Sequence, residues 1–72
     1  MKTYHVALCE IARISAEAKL AQYRSGYNQY RGFDSFGIAA TLELFYPERD
    51  FKQIRTDFED LEFELYEELK LK

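Results

Sequence analysis

A single cysteine, a single histidine, a single proline and no tryptophan occur in these 72 residues, and the scarcity of the first two excludes most chemistry. Cys9 alone cannot form a disulfide within the chain, and a lone thiol suits a reducing, cytoplasmic setting. His5 stands four residues before Cys9, on the same side of a helix, yet no other Cys or His completes a zinc site. A Cys–His nucleophile pair would also need a third, orienting group and a pocket. Phosphate-binding glycine loops, nucleophile elbows and zinc motifs are absent. The inward Glu-x-x-His pairs of di-metal bundles have no counterpart, because no Glu lies three residues before His5. The expectation is a non-enzymatic protein with no catalytic residue, cofactor or metal. No apolar run approaches the ~20 residues of a membrane span. Lys2, Glu10, Arg13 and Glu17 interrupt the N-terminal apolar residues before a signal-peptide core forms.

Residues 1–72 suffice for one domain with one core. A chain this short buries only about 60% of its unfolded surface, so its stability margin is thin. With disulfides and metals excluded, self-association or docking on a larger partner remains as a source of extra stability. The net charge of −3 conceals an asymmetry. Residues 1–33 carry five basic and two acidic side chains; residues 34–72 carry five basic and eleven acidic ones. The two halves should attract, within one chain or between chains.

The pattern of apolar residues predicts an all-α domain of three helices, at about 3–24, 35–46 and 47–71. In the first, Tyr4, Ala7, Leu8, Ile11, Ile14, Ala18 and Ala21 recur at three- and four-residue steps, with Thr3 as N-cap. Ser25–Asp34 breaks the pattern with glycines, an asparagine and a serine, although a helix continuing through Gly26 is the alternative. Ser35–Tyr46 has Glu43 as its only charge, the mark of a helix enclosed by its neighbours. A buried strand through Ala40–Tyr46 competes with it. Pro47 then opens the third helix, with Glu48 and Asp50 in its first turn and Lys70 and Lys72 at its end. Phe51, Ile54, Phe58, Leu61 and Leu65 form its seam. Residues 61–65 alternate as a strand would, but the three-four stepping on both sides favours helix. Ile11, Ile14, Leu42, Phe45, Phe58 and Leu61 are the expected core.

Within the third helix, residues 57–68 read DFEDLEFELYEE, seven carboxylates with no basic residue. At 1.5 Å per residue that is a charge about every 2.4 Å, between the ~1.7 Å axial charge spacing of duplex DNA and the ~3.4 Å of one strand. Phe63 lies about 160° from the seam and Tyr66 about 100° away, at 100° per residue. Aromatic anchors ringed by charge suit a binding face. Asp57, Glu59, Asp60, Phe63, Glu64, Tyr66, Glu67 and Glu68 are therefore the candidate partner-binding residues, and Glu59 with Glu62 is expected on the solvated outer face. The competing view is a solvated helix wall, since acidic runs mostly keep a surface wet. A secondary candidate is the loop with Tyr27, Tyr30, Arg31 and Phe33, whose rings and arginine suit single-stranded nucleic acid. The negative net charge and the lack of an RNA-binding motif weigh against that use.

In size and charge the chain is similar to small acidic accessory or inhibitor proteins of phages and mobile elements. That likeness implies an inhibitor laying its acidic helix into the basic groove of a nucleic-acid-handling protein, as a nucleic-acid mimic. The alternatives are a structural homo-oligomer held by seam residues and charge asymmetry, or direct nucleic-acid binding through the Tyr/Arg loop.

Overall fold

The computed structural model describes residues 2–26 and 31–72, and it is built of three helices: α1 (Tyr4–Arg24), α2 (Ser35–Phe45) and α3 (Phe51–Lys70). Residues 40–46 and 61–65 contain no strand. Among the described residues no helix is long and apolar enough to cross a membrane.

Each helix begins where a short polar side chain caps its free amides. Thr3 accepts from the Val6 amide, Asp34 from those of Phe36 and Gly37, and Asp50 from that of Gln53. The third cap moves a boundary. Pro47 does not open α3; it lies in a turn closed by the Arg49 amide donating to the Tyr46 carbonyl at 3.0 Å. With Asp50 as cap, Glu48 lies outside the helix. At the other junction α1 stops at Arg24, where Gly26 adopts φ +83° and its amide reaches the Tyr23 carbonyl. The helix therefore does not run on through Gly26.

The element shared by the other two is α3, since α1 and α2 pack mainly on it rather than on each other. Side-chain pairs along α1 and α3 advance in step: Tyr4 with Asp57, Ser15 with Glu62, Lys19 with Tyr66 and Tyr23 with Lys70. These two helices thus run parallel, and α2 is part of the return path between them. It sits beside the first half of α3, where the Phe36 and Phe51 rings meet edge to face at 4.9 Å and Ser35 donates to Glu59. The expectation of an enclosed middle helix is corrected here. Only Ala39 and Leu42 of α2 are buried, with Tyr46 just beyond its end, while Leu44 and Phe45 face outward and Phe36 stays half open on the flank beside Phe51.

The main core joins Tyr4, Leu8, Ala12, Ala39, Leu42, Tyr46, Ile54 and Phe58; Ala16, Leu20 and Tyr66 form a second cluster farther along. Leu42 and Phe58 are buried as expected, and Ile11 and Leu61 are half-buried at the margin. Ile14 and Phe45 are instead exposed. On α1 the buried stripe steps by four through Leu8, Ala12, Ala16 and Leu20, a different line from the one carrying Ile14. The methyl groups of Ala12 and Ala16 let α3 approach closely, and the larger Ile14 is left on the flank.

Candidate binding surface on helix α3

The seam of α3 turns Ile54 and Phe58 into the core, which leaves most of its carboxylates on the remaining arc. Phe63 projects there, 58% exposed. Glu59, Asp60 and Glu67 stand four and three residues before it and four after, so they neighbour it on the helix surface. Glu59 accepts from the Ser35 hydroxyl at 2.9 Å and lies 3.7 Å from Arg55. Glu67 lies 3.9 Å from Lys70. Among the described residues Asp60, Glu64 and Glu68 are in no ion pair.

Three members of the segment are used inside the molecule. Tyr66 is only 4% exposed and packs with Ala16 and Leu20, with the Lys19 ammonium 4.7 Å from its ring centre. It is removed from the candidate surface: at about 100° from the seam it falls under α1, which flanks α3 there. Asp57 accepts from the Tyr4 hydroxyl at 2.8 Å and from Gln53 Nε2 at 2.7 Å. Burial, and then that bond to Asp57, hold the Tyr4 phenol well above its ordinary pKa; the Arg49 guanidinium over its ring acts in the opposite sense. Glu62 does not stand on the solvated outer face; it is half-buried and accepts from Ser15.

Asp57, Asp60 and Glu64 of α3, His5 of α1 and Arg49 from the turn before α3 line an open groove of about 340 Å³. Acidic and basic groups thus share its walls. Cys9 Sγ and His5 Nε2 lie 3.6 Å apart on α1. Among the described residues no group of three or more His, Cys, Asp and Glu is placed to hold a metal ion. Arg31 and Phe33 of the secondary candidate are both exposed. Tyr27 and Tyr30 lie outside the described residues.

The sequence pattern did not disclose the junction at Ser15. This serine is fully buried; it donates to the Glu62 carboxylate and accepts from the Phe33 amide at 2.7 Å. Gly32 passes so close that a Cβ there would collide with both the Glu62 carboxylate and the Ser15 hydroxyl. Among the described residues no ion pair joins the basic half of the chain to the acidic half. Hydroxyl–carboxylate bonds and cations over rings join them instead.

Compared with protein-family models, curated proteins and solved structures, this chain matches none.

Proposed function

We propose that the chain is a non-enzymatic binding module that presents the outer face of α3 to a basic surface of a larger, cytoplasmic protein. The observation that carries this is the exposure of Phe63. Folding buries Phe58 and Tyr66 and half-buries Phe51, yet leaves this ring open among Glu59, Asp60 and Glu67. An apolar ring within a charged rim is how binding energy and selectivity are divided at a protein interface. Asp60 and Glu64, without ion-pair partners among the described residues, extend that rim into the groove beside α1 and suit lysine or arginine side chains. The axial charge spacing of the segment supports the finer view that the partner's basic groove ordinarily holds nucleic acid, and that the module inhibits by occupying it.

The test begins with capture of a partner from the source cell, followed by binding kinetics. Reversing Asp60, Glu64 and Glu67 to lysine should slow association about tenfold or more at low salt and reduce its salt dependence. Phe63→Ala should raise the dissociation rate, by about 30-fold if the ring contributes the ~2 kcal/mol of an interface hot spot. Neither change touches the core, so both variants should keep the parent's helical circular dichroism. A partner that binds both variants as it binds the parent would show that this face is a solvated wall.

A further inference from the structure

The only histidine and the only cysteine of the chain stand side by side on α1. His5 and Cys9 are four residues apart, so their side chains lie one above the other on the same flank of the helix. His5 is exposed and Cys9 half-buried, and neither belongs to a core cluster. Cys9 Sγ lies 3.6 Å from His5 Nε2. Zinc bonds of about 2.3 Å to sulfur and about 2.0–2.1 Å to nitrogen, at a tetrahedral angle, separate two such ligands by about 3.5–3.6 Å. The pair therefore already holds the spacing of two corners of a zinc tetrahedron.

We infer that His5 and Cys9 are half of a zinc site, and that a second copy of the chain, related by a twofold axis through the ion, supplies the other half. A structural zinc site takes four ligands, and two cysteines with two histidines are one of its established sets. One chain cannot provide them: among the described residues no group of three or more His, Cys, Asp and Glu is placed to hold a metal ion. A twofold axis turns two ligands into four and asks for no further residue. Each Cys9 thiol gives its proton to solvent on binding, and the two thiolates balance the charge of the ion.

The donor set names the class of ion. Thiolate with imidazole suits zinc, whereas magnesium and calcium take oxygen ligands. The surroundings act in both directions. His5 lines the groove that also carries Asp57, Asp60 and Glu64, whose negative potential favours a cation at its edge, while the Arg49 guanidinium in the same groove opposes it. This site is independent of the partner proposed for α3, and its test uses the purified chain alone.

Sedimentation velocity is run with zinc chloride and a phosphine reductant, with the chain at about 100 μM, far above the Kd of a four-ligand zinc site. With one ion for every two chains the mass should rise from 8.6 kDa to twice that value, and it should return on addition of EDTA. Cobalt(II) in place of zinc should show the intense visible bands of a tetrahedral ion and a thiolate charge-transfer band in the near ultraviolet. His5→Ala and Cys9→Ser should each abolish the metal-dependent dimer and the cobalt bands. Both variants should keep the parent's helical circular dichroism, because neither side chain is part of the core. A mass unmoved by zinc would overturn the shared site, as would a zinc dimer that survives either substitution. Zinc bound one ion per chain at 8.6 kDa would overturn the part played by the second copy. So would a dimer that forms without metal and is dissolved by the reductant, which would be a Cys9 disulfide.

Discussion

Removing one hydroxyl, by Ser15→Ala, should loosen the hold on Gly32 and Phe33 just before α2. Ser15 is fully buried, donates to Glu62 and accepts from the Phe33 amide. The substitution leaves a carboxylate short of one donor and an amide short of its acceptor. A hydrogen bond to a charged group contributes about 1.5–3 kcal/mol and a neutral one about 1 kcal/mol. Two effects reduce the sum. Glu62 is only half-buried, so water replaces part of what it loses, and alanine is the better helix former by a few tenths of a kcal/mol, roughly. The net cost should be about 2 kcal/mol, a sizeable share of the ~5 kcal/mol at the low end of domain stability. In a domain of this size that lowers Tm by about 8–16 °C. Thermal and urea denaturation followed by circular dichroism measure it, with the urea midpoint falling at constant slope. Amide exchange at Phe33 should quicken more than exchange at Phe58. A double-mutant cycle with Glu62→Ala should return a coupling of about 1 kcal/mol or more, since the two side chains touch. If Ser15→Ala melts within about 2 °C of the parent, the change is under ~0.5 kcal/mol. The hydroxyl would then contribute no stability, and the closeness of Gly32 would need another cause.

Phe58→Ala should destabilise by about 3–5 kcal/mol and Phe45→Ala by no more than ~0.5 kcal/mol; equal effects in urea titrations at low protein concentration would refute the burial of one and the exposure of the other. The raised pKa of the Tyr4 phenol means that the folded state holds its proton where the unfolded chain, near pKa ~10, has lost it. This contribution is complete below pH ~10 and is lost as pH rises through that value toward the folded pKa, so Tyr4→Phe should flatten stability measured above pH ~10. An alkaline limb as steep in Tyr4→Phe as in the parent would exclude Tyr4 as its source.

The helices were legible because each carries its own local instructions. Thr3 is a capping residue type, Gly26 is a natural stop, and the stepping from Phe51 to Leu65 outweighs the alternation at 61–65; the start of α3 was misplaced, because Pro47 suits a first turn and hid Asp50 as the cap. What was not legible is which helix lies between the others. Hydropathy made α2 the natural centre, with Glu43 its only charge. Yet a helix of 11 residues presenting Ala39 and Leu42 inward cannot shield both of its sides. The longer α3 takes the shared position because its seam spans both clusters, from Ile54 to Leu69. The apolar surface left over on α2 is the direct consequence.

The candidate site was legible in outline for a related reason. Phe63 lies almost opposite the seam, and no packing of α1 and α2 on one side of α3 brings either helix across it. Tyr66, closer to the seam, depended on how wide the covered arc would be. A helix with one neighbour buries a narrow stripe; α3 has α2 on one flank and α1 on the other, so its covered arc is broader, and α1 extends it over Tyr66. The same parallel course of α1 brings Tyr4 to Asp57 across 53 residues and Ser15 to Glu62 across 47, contacts no local pattern encodes. Those bonds draw two carboxylates of the segment inward, where they serve the fold. Glu59, Asp60, Glu64, Glu67 and Glu68 remain at the surface around or beside the one aromatic ring of α3 that the fold leaves open. Any selectivity this face has must come from how those five are arranged about Phe63, because the other two are already committed.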